Sequence, residues 1–418
     1  MISKQIECRR AIEALRSGVP NRDAVLALGC EQMAIEERFR VQLKDAKEGA
    51  KEGVQAPGLL ISGDFGAGKS HLLEYLQHVA IEENFVCSKV VISKETPLHD
   101  PVKLYRSAAE AAVVPKRRGS ALTEVATQLN PENEAYMNLD AWVHSPDTKL
   151  NSRFAATLFL FKLRRINMEV QNLIVSFWSG DPLGTGDIKK YLKECGERAT
   201  YKIETANLRD LAIQRFQFAA RLILAAGYSG WVLLVDEVEL IGRYSLLQRA
   251  KSYAEMARWF GKLTDQKFPG LTAVFAIMSN FESYILEEKN DLEVSPRKLR
   301  DRGWEDLAKQ AERVMRTIQK EKVRLRGPDT NAIQRTYDKV REIHAQAYGW
   351  EPPPVLSVDR LKTTSMRTYV KGWITEWDLK RLDPGYKPEI EGTELKPDYT
   401  EDPNLQVPSE EEPEGRPE

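Results

Sequence analysis

The sequence predicts an α/β protein with a parallel sheet flanked by helices, and three observations carry that prediction. Trp231–Val235 (WVLLV) and Leu271–Met278 (LTAVFAIM) are unbroken apolar runs of strand length. Runs of this type lie buried on both faces inside parallel sheets. Helical patterns separate the strand-like segments, the alternation that builds such sheets. A glycine-rich stretch, Gly63–Ser70 (GDFGAGKS), joins a short strand to an amphipathic helix.

Taken from the N-terminus, Ile6–Leu15 has helical apolar spacing and stops at Ser17-Gly18-Val19-Pro20. A second helix starts at Asn21 or Asp23 and a third covers about 30–50, so residues 1–56 read as an N-terminal helical segment. Pro57-Gly58 opens the strand Leu59–Ser62, and the helix Lys69–Ile81 follows the glycines. Residues 85–93 (FVCSKVVIS) lean toward β-branched types and read as a second strand. Residues 95–205 carry Pro101, Pro115, Pro131, Pro146 and Pro182, with helical patches at Val102–Ala112 and Phe154–Val175. They are expected to be a mostly helical insertion in a core domain of residues 57–329. Helices over 207–226, 248–263 and 304–323 complete that core. Residues 330–383 form a separate small helical unit. From Pro384 onward the chain holds seven of its 21 prolines, so 384–418 is expected to be an acidic disordered tail.

With 418 residues the chain has room for two or three domains. A hydrophobic share of 42% and a charged share of 29% exclude a wholly disordered or collagen-like chain. The balance of 61 Lys+Arg against 62 Asp+Glu excludes coating of nucleic acid by bulk charge. That balance hides a split, because residues 401–418 hold seven acids and one Arg, leaving 60 basic and 55 acidic residues elsewhere. Cys8, Cys30, Cys87 and Cys195 form no Cys-x-x-Cys pair, which argues against structural zinc or a disulfide framework and for a reducing cytoplasm. The N-terminus MISKQIECRR has no apolar signal core, and the run Leu222–Val235 is interrupted at Gly227–Gly230, so no membrane span is expected.

The stretch Gly63-Asp64-Phe65-Gly66-Ala67-Gly68-Lys69-Ser70 has the spacing G-x-x-x-x-G-K-[ST]. Glycines let a loop wrap closely, so that successive backbone N–H groups and the next helix's N-terminus face phosphate oxygens. Lys69 sets a cation against the β- and γ-phosphates, and the Ser70 hydroxyl takes one Mg²⁺ position. His71, directly after it, joins the expected nucleotide contacts. The second half of the site is Asp236-Glu237 at the carboxyl end of WVLLV, where ligands meet an open parallel sheet. Asp236 would hold Mg²⁺ through water, and Glu237 would orient and polarise the attacking water. No guanine-reading Asn-Lys-x-Asp follows, so ATP with Mg²⁺ is the expected cofactor pair and a P-loop ATPase the expected class.

Ser279-Asn280 ends the next strand, where additional-strand ATPases carry a polar sensor; a strand-ending Asn is equally ordinary turn chemistry. Arg297, Arg300 and Arg302 offer either an arginine finger for a neighbour's ATP or a solvated basic loop.

The segments RRAIEALRSGVPNRDAVLALG (9–29), GDFGAGKSHLLEYL (63–76) and LLVDEVELI (233–241) resemble the BREX phage-defence ATP-binding proteins, the BrxC/BrxD group. These are similar to AAA+ and origin-recognition ATPases. The resemblance implies an AAA+-like P-loop NTPase with a C-terminal helical lid, working in a defence operon beside a helicase and DNA-modifying components. It places Pro20-Asn21-Arg22 near the adenine, so that Asn21 and Arg22 become nucleotide contacts. It also makes Met366–Val370 a second-sensor helix, with Arg367 on the γ-phosphate. The proline usual before that arginine is absent here (Ser365-Met366).

Arg313, Arg316, Lys320, Lys322, Arg324 and Arg326 put six cations in fourteen residues, with shorter clusters at 116–118 and 162–165. They read either as a non-sequence-specific DNA surface or as a solvated helix face. Two functions are therefore expected in competition. One is an ATP-hydrolysing machine engaging DNA with a helicase or nuclease, possible as a homo-oligomer. The other is a slow ATP-dependent switch that recruits partners.

Overall fold

The computed structural model describes residues 2–19, 21–163, 167–197, 199–263, 267–355, 365–387 and 399–405. Six strands, β1 (Leu59–Gly63), β2 (Phe85–Val91), β3 (Ala112–Val113), β4 (Gly230–Asp236), β5 (Leu271–Met278) and β6 (Val323–Arg324), form one sheet. Their order is β3-β2-β4-β5-β1-β6. Every pairing is parallel except β2 with β3. The expected all-parallel sheet is corrected at that edge. β3 follows a helix after a single residue and runs antiparallel to β2, pairing Cys87 with Val113 and Ser88 with Ala112.

The unbroken apolar runs are the two central strands: every residue of β4 and β5 is buried. Alternation across the pleat sends Val232, Leu234, Val274 and Ala276 to one face and Trp231, Leu233, Ala273 and Phe275 to the other. On the first face, α3 (Met33–Glu52) and α4 (Lys69–Glu82) bury Phe39, Leu43, Leu72 and Leu76. Gln42 of α3 ties that layer to the sheet, donating to the carbonyl of Ala273 at 2.9 Å.

The second face carries α11 (Leu208–Ala225), α12 (Leu246–Trp259), α13 (Asp291–Arg300) and α14 (Glu305–Lys320). It also carries the insertion: α5 (Pro101–Glu110), α6 (Ala121–Thr127), α7 (Glu134–His144), α8 (Ser152–Lys162), α9 (Met168–Ser179) and α10 (Thr185–Glu194). These helices share one core with the sheet. Phe216 of α11 stacks on Trp231 at 5.6 Å and meets Tyr105 of α5 edge-on at 4.8 Å. The patch expected as one helix over Phe154–Val175 is two, since α8 ends at Lys162 and Asn167 caps α9 through Glu169 N. Arg164 and Arg165 lie outside the described residues.

A third core joins chain ends far apart in sequence. α1 (Ile2–Ser17) and α2 (Arg22–Leu28) pack on α15 (Thr330–Tyr348) and α16 (Met366–Leu382), burying Ile12, Leu15, Val340, Trp373 and Trp377. The N-terminal segment expected as one unit is thus divided, with α3 on the sheet and α1–α2 on the C-terminal helices. The 384–418 tail also needs correction. Within it, residues 399–405 lie against the second face, with Tyr399 and Leu405 on the apolar core and Asp402 paired to Arg243 at 2.8 Å. Its Pro- and acid-rich composition conceals two apolar anchors whose cover comes from elsewhere in the chain.

Candidate nucleotide site

β1 delivers Gly63 to the carboxyl edge of the sheet, and α4 departs from Lys69. Between them Gly66 and Gly68 adopt φ of 73° and 97°, left-handed values that a side chain disfavours. A Cβ on Gly66 would stand 2.2 Å from Ser365 Oγ, so any other residue there would also force the Ser365 side chain to move. The loop borders a cavity of about 410 Å³. Phe65–Leu72, Glu237, Glu239, Arg326 and Arg367 are among its walls.

Lys69 is 9% exposed, and its ammonium donates to the Gly63 carbonyl at 3.0 Å. The Glu239 Oε1 stands 3.9 Å from it. Asp64 accepts from the Ser279 hydroxyl, which fastens the loop to the end of β5. Phe65 lies under the Arg367 guanidinium, 5.3 Å from its ring centre. His71 meets the Gly29 carbonyl at 2.9 Å, and burial lowers its pKa, so a neutral ring donates there and ties α4 to the end of α2.

β4 presents the acid pair. Asp236 is buried at 4% exposure and accepts from Glu237 N at 3.0 Å. Glu237 holds φ 58°, ψ 30°, a left-handed conformation that turns its side chain into the cavity wall. Burial, then Asp236, raises its carboxyl, against Lys69 and Arg367. Asp236 and Asn280 do not line the cavity; Asn280 Oδ1 accepts from the Tyr399 hydroxyl at 3.1 Å.

Several expected contacts stand elsewhere. Asn21 caps α2, accepting from Ala24 N at 2.9 Å and donating to the Arg10 carbonyl at 3.1 Å. Neither it nor Arg22 lines the cavity, whose N-terminal wall includes Gly18 and Leu28–Met33. α2 is only seven residues long and turns its C-terminal end, not its cap, to the loop. The basic run is likewise dispersed. Lys322 is paired with Glu282, Arg313 donates to the Lys262 carbonyl, and Arg326 borders the cavity, its backbone bonded twice to Gln32 at 3.0 Å. Arg316, Lys320 and Arg324 are exposed. Of the proposed finger residues, Arg300 pairs with Glu312 at 2.6 Å and Arg302 lies over Trp304.

Sequence reading missed Glu239, three residues past Asp236. It is 6% exposed, and its Oε2 is buried without a hydrogen-bond partner among the described residues. Burial, opposed by Lys69, pushes its carboxyl from an ordinary 4.5 up to about 7. Between those values the folded protein binds a proton that the unfolded chain has released, so stability must fall as pH rises through that window. The term amounts to on the order of 3 kcal/mol. Chemical denaturation from pH 4.5 to 7.5 should therefore show a flatter profile for Glu239→Gln than for wild type. Parallel profiles would exclude this carboxyl as the source.

A glycine-rich loop between a buried strand and a helix, with acids ending a nearby strand of a mostly parallel sheet, is consistent with a nucleotide-binding protein of the P-loop type. The chain belongs to the family described as BREX system ATP-binding protein BrxC/D, which matches residues 2–152 and 197–375. The stretch between the two matched parts holds most of α8 and all of α9 and α10. No curated protein matches the chain. Among the described residues no helix is long and apolar enough to cross a membrane.

Proposed function

We propose that this chain binds and hydrolyses Mg-ATP as an AAA+-like ATPase in phage defence, coupling the nucleotide to DNA together with a partner helicase or nuclease. The observation that carries the reading is the meeting of Lys69, Ser70 and Glu237 on one cavity wall. The family's ATP-binding description supports the cofactor. β5 between β1 and β4 supports the additional-strand class. α15 and α16, which bring Arg367 to the loop, are suited to act as a lid.

Mg²⁺ fits the donor set: the Ser70 hydroxyl, and an Asp236 carboxylate engaged, among the described residues, only at Oδ1 by Glu237 N. Among the described residues no three His, Cys, Asp or Glu side chains are grouped so that they could hold a metal ion by themselves. Two protein oxygens suit an ion that keeps waters and takes phosphate oxygens. When bound it would neutralise charge on the β- and γ-phosphates. Lys69 would bind the same oxygens, and Glu237 would align a water on the γ-phosphorus and receive its proton.

ATP turnover, measured with and without duplex DNA, tests the proposal. Strong stimulation supports a DNA-coupled machine, and tight ATP binding with negligible turnover supports the second reading, a recruiting switch. Helices α8–α10, which lie mainly outside the matched residues, favour that second reading by offering a surface of this chain's own for a partner.

The DNA part rests on the exposed cations of α14 and β6. Reversing Arg316 and Lys320 to Glu should weaken duplex binding about tenfold or more and reduce its salt dependence, while ATP affinity stays unchanged. Unaltered DNA affinity in a fluorescence anisotropy titration would remove this surface from the account.

A further inference from the structure

The segment 399–405 makes contacts that an inert tail would not need. The Tyr399 hydroxyl donates to Asn280 Oδ1 at 3.1 Å, and its ring lies 5.8 Å from that of Tyr284, four residues beyond Asn280. Two acids follow. Glu401 pairs with Arg249 at 2.6 Å and Asp402 with Arg243 at 2.8 Å, and Asp402 N donates to the Arg243 carbonyl at 3.1 Å. Arg243 ends the 3-10 turn Val238–Arg243, which starts beside Glu237 and contains Glu239. One short segment therefore touches both the turn that carries the glutamates and the residue at the end of β5.

An amide has one acceptor oxygen and two N–H donors. A hydroxyl bonded to the oxygen settles which way the amide faces and leaves the NH₂ as a donor. In the hydrolytic reading, a γ-phosphate oxygen or the lone pair of an attacking water would accept from that donor. Burial, reinforced by Glu239 and Glu237, raises the Tyr399 phenol well above its ordinary value, so it stays protonated and donating.

We propose that Tyr399 is a positioning residue for ATP hydrolysis. Its hydroxyl orients the Asn280 amide, and the ion pairs of Glu401 and Asp402 dock the segment that supplies it. This rests on the hydrolytic reading above. The surroundings reached by this segment also suit the chemistry: Arg249 is otherwise held by buried Asp291, so Glu401 adds a third member to an existing ion-pair network without opening it.

The test uses the full chain. Tyr399→Phe keeps the ring and removes only the hydroxyl. It should lower kcat for ATP about five- to tenfold with KM and ATP Kd within about twofold and thermal stability nearly unchanged. Asn280→Ala should lower kcat further than that, and adding Tyr399→Phe to it should change nothing more, because the hydroxyl acts only through the amide. Glu401→Gln with Asp402→Asn, which loosens the docking, should lower kcat in the same direction. An unchanged or raised kcat in Tyr399→Phe overturns the proposal, as do losses that multiply in the double variant. Wild-type turnover no higher than the uncatalysed rate would remove the hydrolytic reading itself. Normal wild-type turnover with an unaffected Tyr399→Phe removes the positioning role alone.

Discussion

Glu237→Gln should reduce ATP turnover by roughly two to three orders of magnitude while leaving ATP affinity within a few-fold of wild type. The amide keeps the size of the carboxylate and can still orient a water, but it cannot accept that water's proton. The effect should appear almost wholly in kcat because Glu237 borders the cavity and, among the described residues, makes no hydrogen bond to the glycine-rich loop. Its left-handed backbone makes the direction of the side chain a property of the β4 turn, so the substitution leaves that direction in place. Phosphate release and binding of a fluorescent ATP analogue, measured on the same preparation, separate the two effects. Turnover retained in Glu237→Gln would sink the assignment and direct attention to Glu239, the other carboxylate on the same wall.

Lys69→Ala should act on the opposite step, weakening ATP binding about 10- to 100-fold, the cost of losing charge-assisted bonds to phosphate. It has a second consequence that a surface lysine would lack. Glu239 then loses the cation 3.9 Å away while remaining buried. Its carboxyl, already raised to about 7, should rise further, since the opposing charge is gone. The variant should therefore be nearly as stable as wild type at pH 6, where Glu239 is largely protonated in both, and less stable at pH 8. Adding Glu239→Gln should restore stability at pH 8 without restoring ATP binding. Calorimetric titration with ATP and thermal unfolding at the two pH values read these outcomes; a stability loss independent of pH would mean that the ion pair is not its cause.

These two residues also show where sequence reading succeeds and where it stops. Lys69 sits in a spacing of eight residues, and Glu237 follows a strand whose burial its own composition declares. Glu239 carries no such mark: an acid in a turn is ordinary until the fold buries it against Lys69. Asn21 and Leu28–Met33 differ in a similar way. The resemblance singled out the helix cap, whereas the cavity wall is set by how α2 leans on α4 through His71 and Gly29. In the basic run 313–326, a single charge pattern became three environments, an exposed helix face, an ion pair with Glu282 and a wall of the cavity.

By itself the sequence determined the local units: the strand-loop-helix around Gly63–Ser70, the buried strands and the acids that end β4. Each depends on steric and apolar spacing within a few residues, so neighbours in the chain suffice to specify it. Only the tertiary structure decided that α1–α2 join α15–α16, that Arg326 and Arg367 border the same cavity as the glycine-rich loop, and that Tyr399 returns to Asn280. Those contacts join residues more than a hundred positions apart. Their partners are chosen by which surfaces remain to be covered once the sheet has closed, and no periodicity in one segment records what another will cover.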